Sequence, residues 1–113
     1  MSCIFCEIVA RRAPAHIVFQ DDHVTAFADL HPRAPTHILI IPNRHIESVA
    51  EIDDDAKEVA VAKCLRAARE IAQARGLDGG YRVVTNVGAD AGQSVFHLHF
   101  HLLAGRMMGW PPG

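Results

Sequence analysis

Three histidines stand at a strict period of two in His97-Leu98-His99-Phe100-His101-Leu102-Leu103. Two is the period of a β-strand, so the imidazoles share one face and Leu98, Phe100 and Leu102 share the other. The aliphatic face calls for a core. The histidine face has no packing reason to be all histidine, because imidazole is costly to bury unpaired. Strand geometry spaces the rings roughly 7 Å apart, and each titrates near neutral pH. Proton transfer, nucleophilic attack and metal binding are the chemistries open to such a row. A metal shared by all three is awkward, since a third histidine of a regular strand is hard to bring round to one ion. Nucleophilic attack suits the middle ring. A neutral imidazole at His99 can attack phosphorus and form a covalent intermediate that water hydrolyses. The flanking histidines would then hold the non-bridging oxygens.

Other residues carry related chemistry. Directly before the row, Asn86, Gln93 and Ser94 are neutral donors, and Gly88 and Gly92 let backbone N–H groups approach an anion. Cys3-x-x-Cys6 has half of a zinc site's spacing, so histidines must complete any site; two packing cysteines on a short helix is the other reading. Cys64 falls on the apolar face of a long helix and reads as an inert buried thiol. His37 opens a buried strand and can hydrogen-bond behind the triad. His16, His23 and His31 read as surface residues.

These residues must be positioned by a small set of elements. Phe5 to Arg12 suits a short helix stopped by Pro14. Ile17-Val18-Phe19 and His23 to Leu30 read as two strands joined at the Asp21-Asp22 turn. Pro32 and Pro35 force a loop, and His37 to Ile41 is a buried-strand pattern closed by Pro42. Asp53-Asp54-Asp55 favours a helix start. Val61, Cys64, Leu65, Ala68, Ile71 and Ala72 then share one helical face, and Arg75-Gly76 supplies the stop. Tyr81 to Asn86 is a further strand, and the histidine strand is the last. Strand, strand, strand, long helix, strand, strand is an α+β order. It suits a mainly antiparallel five-stranded sheet with one long helix and a short N-terminal helix.

The chain's 113 residues make one domain, 1–113, with 104–113 as a C-terminal tail. Half the residues are apolar, and the net charge is −2. No basic run points to nucleic acid. No apolar run approaches a membrane span. The opening Met1-Ser2-Cys3 has no charged segment ahead of an apolar stretch, so no signal peptide is expected. The three cysteines imply no disulfide framework, and a cytoplasmic location is expected.

The run Gln93 to Leu103 resembles the histidine-triad signature, His-φ-His-φ-His-φ-φ with φ apolar. The opening Cys-Ile-Phe-Cys-Glu-Ile, Phe27-x-Asp29, Ala34-Pro35-Thr36-His37, Ile41-Pro42-x-Arg44-His45-Ile46, Gly80-Tyr81-Arg82, Asn86-x-Gly88 and the terminal Trp110-Pro111-Pro112-Gly113 are similar to the Hint branch of that superfamily, the purine nucleoside phosphoramidases. The uridylyltransferase branch carries His-Pro-His and a Gln in place of the third histidine, and this chain has neither. The resemblance implies a hydrolase that cleaves the P–N bond of purine nucleoside phosphoramidates through a nucleotidyl-histidine intermediate, releasing AMP or GMP. It makes His99 the nucleophile. His101, Asn86, Ser94 and the Gly92-Gln93 backbone would bind the α-phosphate, and Asp29 the ribose hydroxyls. Phe27, Leu30 and Ala13 would line the purine pocket, although Phe27 serves equally as core and Asp29 as a turn former. The resemblance implies one structural zinc per chain on Cys3, Cys6, His45 and His97, and no catalytic metal. It also implies a homodimer in which Trp110 shapes the leaving-group side of the partner's site. A dinucleoside polyphosphate hydrolase with the same residues, or a nucleotide-binding regulatory protein, are the alternatives.

Overall fold

A computed structural model describes residues 3–113; Met1 and Ser2, where the expected domain begins, lie outside the described residues. Helix α1 (Ile4–Val9) starts at Cys3, whose sulfur accepts the Cys6 N–H. Strands β1 (Ile17–Gln20) and β2 (Val24–Ala28) form the expected hairpin. Its turn is closed by Asp21, whose Oδ1 accepts the N–H groups of His23 and Val24, each at 2.8 Å. Strand β3 (Thr36–Pro42) follows, and then the long helix α2 (Asp55–Ala74).

Both ends of α2 follow from side-chain and backbone chemistry. Asp54 caps the start by accepting the Lys57 N–H at 2.8 Å. At the far end Gly76 sits at φ 66°. That conformation lets the Gly76 and Leu77 N–H groups turn back to the carbonyls of Gln73 and Ala72. The buried stripe is Cys64, Ala67, Ala68, Ile71 and Ala72. Leu65, expected on that stripe, is instead 46 % exposed. The helix meets the sheet through a line of small residues, with Ala67 in the stripe and Leu65 on its flank.

The sheet has the order β1-β2-β3-β5-β4, antiparallel throughout, with β4 at Arg82–Val84 and β5 at Phe100–Ala104. Its two faces bury different cores. On the α2 side lie Val24, Ala26, Ile38, Ile40, Leu98, Phe100 and Leu102 with the helix stripe. On the other side Phe27, Leu39 and Ile41 pack with Phe5 and Ile8 of α1. His37 and His101 share this second face, since Leu39 pairs with His101 in the register.

The histidine strand is shorter than its sequence pattern predicts. The β3–β5 ladder ends at Ile40–Phe100, so only His101 lies within β5. Continued, that register would set Leu98 against Pro42, which has no N–H to donate. The segment before Phe100 is held otherwise. The Leu98 N–H donates to the Ile46 carbonyl at 2.6 Å, and the Thr85 hydroxyl to the His99 carbonyl at 2.8 Å. The alternation survives: Leu98 is buried against α2 while His97 and His99 face α1. Residues 105–113 form no helix or strand.

Candidate active site and metal centre

Hydrogen-bond partners assign the protons of the imidazole row. His99 Nδ1 lies 2.8 Å from the His97 carbonyl oxygen. A carbonyl only accepts, so Nδ1 carries the hydrogen and the neutral ring keeps its lone pair on Nε2. Phe5 stacks edge-on against this ring, centroids 5.2 Å apart, and leaves His99 only 8 % exposed.

His101 is set by a chain that begins on the backbone. The Arg33 N–H donates to His37 Nδ1 at 3.0 Å. Neutral His37 must then protonate Nε2, which donates to His101 Nδ1 at 2.8 Å. Neutral His101 in turn carries its hydrogen on Nε2, as a donor. Asp29 supports the chain, with Oδ2 3.4 Å from His37 Nε2 and Oδ1 accepting the His31 N–H. His37 therefore does stand behind the triad. The rings of His99 and His101 are 5.1 Å apart, closer than ideal strand spacing.

Burial favours the neutral forms of His37 and His101. It lowers His101 to about 4, helped by repulsion from His99 and His37. It also lowers His37, an effect that Asp29 opposes. Below about pH 6.5 the unfolded chain takes up protons on both rings that the folded chain resists, in the case of His101 down to about pH 4. Stability is thus complete above about pH 6.5 and falls as pH drops toward 4, by at most about 1.4 kcal/mol per pH unit per ring. Thermal melts from pH 7.5 to 4.5 should show a falling Tm, with a shallower fall for His101→Asn. An equal slope in the variant would refute the assignment.

A second group of side chains lies beside the row. Cys3, Cys6, His45 and His97 place four ligand atoms within 4.8 Å of one another. His97 Nε2 lies 2.8 Å from the Pro42 carbonyl, so Nε2 is protonated and the Nδ1 lone pair faces the sulfurs. Cys3 Sγ and Cys6 Sγ stand 3.4 and 3.5 Å from His97 Nδ1, and Cys6 Sγ is 3.4 Å from His45 Nδ1. Tetrahedral zinc bonds put a sulfur and a nitrogen ligand about 3.6 Å apart, so this donor set fits zinc. Burial also lowers His97 to about 4, which keeps it a neutral ligand. Asp29, His37 and His101 cluster as well. Their 2.8 Å N···N contact is a hydrogen bond along the lone pair rather than two nitrogens sharing an ion.

The remaining expected site residues divide. Asn86 lines a cleft of about 400 Å³ with His37 and His101. Ser94 is exposed and lines a cleft of about 750 Å³ with the two cysteines. The Gly92 and Gln93 N–H groups are already committed, to the carbonyls of Ala89 and Gly88. The Gln93 side chain accepts the Gly88 N–H and donates to the carbonyls of Glu47 and Val95. Gln93 thus ties the loop to its neighbours, and these two amides are not open donors as expected. Phe27 is buried against Phe5, ring centroids 5.4 Å apart, and Ala13 packs on the same cluster. Leu30 is 86 % exposed and Trp110 84 %. His16, His23 and His31 are exposed, and Cys64 is buried with its thiol pushed up to about 12. Sequence reasoning missed Phe5 as the cover of His99, and missed the backbone carbonyls of His97 and Pro42. Only the position of Phe5 between Cys3 and Cys6 hinted at its place.

The fold and this site define a small α+β protein built around a row of imidazoles, with His97 and His99 buried and His101 half-buried. Residues 10–108 match the model of the HIT domain, and the chain belongs to that family. It is 44 % identical over 110 residues to an uncharacterised HIT-like protein of Synechococcus elongatus, covering 97 % of this chain and 96 % of that one. A 14 kDa zinc-binding protein of Zea mays is 44 % identical over 112 residues, covering 97 % and 87 %. Among solved structures, a HIT family hydrolase from Legionella pneumophila superposes with a TM-score of 0.94 at 49 % identity, over 99 % of this chain and all of that one. A histidine triad nucleotide-binding protein from Candida albicans gives 0.82 at 31 % identity, over 97 % and 83 %.

Proposed function

We propose that the chain is a Hint-branch nucleotidyl hydrolase that cleaves purine nucleoside 5'-phosphoramidates to AMP or GMP and an amine. The observation that carries this reading is the proton assignment of the row. His99 offers an Nε2 lone pair, and His101 offers an Nε2 hydrogen from the same face. A nucleophile and an oxyanion donor side by side suit two displacements at one phosphorus. His99 Nε2 bonds to phosphorus as the bond to the amine breaks, and the amine leaves with a proton from solvent that the hydrolysis step gives back. The positive charge on His99 is stabilised through Nδ1–H by the His97 carbonyl. Water then attacks phosphorus, and the nucleotide leaves as His99 is restored.

In this reading His101, Asn86 and Ser94 hold the phosphate, Asp29 the ribose, and Phe27, Leu30 and Ala13 the purine. Cys3, Cys6, His45 and His97 hold one zinc, which supplies a crosslink between α1 and the segment leading to His99. The donor set and the zinc-binding name of the maize relative support it. The protein acts in the cytoplasm as a homodimer, with the exposed Leu65 on α2 and Val83 on edge strand β4 as apolar surface for a second copy. The dimer brings Trp110 to the leaving-group side of the partner's site. Equilibrium sedimentation at micromolar concentration should give twice the chain mass; a monomer would refute the dimer. Rapid quenching of the enzyme with adenosine 5'-phosphoramidate should trap a nucleotidyl group on His99. AMP release without that adduct in the wild type would overturn the mechanism.

A further inference from the structure

Two different bonds are open to Cys3 and Cys6. Cys3 caps α1 and Cys6 lies one turn on, with the Glu7 N–H donating to the Cys3 carbonyl at 3.0 Å and the Cys6 N–H to Cys3 Sγ at 3.4 Å. One helical turn sets Cα atoms three residues apart about 5 Å from each other, inside the range of about 4.4–6.8 Å that a disulfide spans. The two sulfurs already lie within 4.8 Å of each other. A change of side-chain rotamer brings them together with the backbone in place. The pair is also open to small molecules. Both cysteines are half-buried, His45 beside them is exposed, and all three line the cleft of about 750 Å³. A cleft of that size admits a small ligand. Cys64 has no such access, buried between α2 and the sheet.

The two bonds tie the chain differently. Zinc on the four ligands would join α1 to His45 and His97, 39 and 91 residues on from Cys6. A disulfide would join residues three apart and leave α1 tied to neither. Phe5, between the cysteines, stacks edge-on against both His97 and His99, centroids 5.9 and 5.2 Å apart. Whatever binds α1 to His97 thus also keeps Phe5 over His99. We propose that Cys3 and Cys6 are a reversible thiol–disulfide pair that a small disulfide oxidises, releasing the zinc and loosening Phe5 over His99. This rests on the zinc and hydrolase of the proposed function and adds a regulation to them. The exchange needs no further oxidant. One cysteine thiolate attacks a sulfur of the small disulfide and displaces the first small thiolate. The other cysteine thiolate attacks the mixed disulfide on its neighbour and displaces the second. The cysteines lose two electrons and the small disulfide gains two. Thiolates are the metal ligands, so the neutral sulfurs of the product no longer hold the ion.

The test uses the wild-type protein as purified and excess hydroxyethyl disulfide, an uncharged probe that Glu47 in the cleft neither draws nor repels. Mass spectrometry should show a chain lighter by two hydrogen atoms, the loss falling in the peptide that holds Cys3 and Cys6, with Cys64 still a free thiol. A zinc-sensitive dye should record one zinc released per chain at the same rate. The Tm should fall by about 10–20 °C. Hydrolysis of adenosine 5'-phosphoramidate should slow about 2–10-fold at a temperature where the oxidised protein is folded. Dithiothreitol with zinc should reverse every change. Zinc retained through oxidation, a reaction that stops at a mixed disulfide, or a disulfide form with unchanged Tm and turnover would each overturn the proposal. Zinc release and the disulfide in a protein that hydrolyses nothing in either state would sink the hydrolase reading and leave the redox pair standing. An active hydrolase that holds no zinc as purified would sink this proposal and leave the hydrolase standing.

Discussion

Replacing His99 with alanine is expected to lower kcat by about 10⁴-fold or more, with no nucleotidyl adduct trapped. Nothing nearby can substitute. His101 spends its Nδ1 lone pair on His37, and His97 faces the cysteines with its own. Of the three rings in the row, His99 is the one whose lone pair is uncommitted. The variant should still fold, since it loses one hydrogen bond to the His97 carbonyl and one edge contact with Phe5. About 1–2 kcal/mol of stability covers the bond. AMP should still bind, because His101 and Asn86 remain. Circular dichroism and AMP calorimetry separate lost chemistry from lost structure. Hydrolysis near the wild-type rate in a folded variant would remove His99 as nucleophile.

Much of this site was legible because strand alternation is strict. The period of two placed Leu98, Phe100 and Leu102 in the core and the histidines opposite, even though only His101 sits in the ladder. Helix α2 was legible at both ends because caps are local: Asp54 and Gly76 act on residues within one turn of themselves. What escaped depends on distant chain. Where β5 begins is set by Pro42 of the neighbouring strand. The protons of His97 and His99 are set by main-chain carbonyls, which every residue carries and no motif marks. Gln93 has the side chain of an anion donor, yet spends it on the backbone of its own loop and of Glu47. Leu65 fits the helical period of α2, but it falls on the flank of the buried stripe and stays half-exposed.

Removing the proposed zinc should unsettle His99 without touching it. His97 serves two masters: its ring faces Cys3 and Cys6, and its carbonyl fixes the proton of His99. The same ring is pinned from behind by Pro42. Zinc on Cys3, Cys6, His45 and His97 would join α1 to the segment that carries His99, and would hold Phe5 over that ring. Protein purified without added metal should therefore contain one zinc per chain, and Cys3→Ser/Cys6→Ser should contain none. A site whose ligands are brought together only by folding contributes its binding energy to stability. The double variant should lose about 3 kcal/mol or more, a fall of about 10–20 °C in Tm. Activity should fall far less than in His99→Ala, by about 10-fold or less at a temperature where the variant is folded, because no ligand of the metal touches phosphorus. Zinc content unchanged by the double substitution would refute the ligand set. A loss of kcat as large as that of His99→Ala, in folded zinc-free protein, would instead make the metal part of the chemistry.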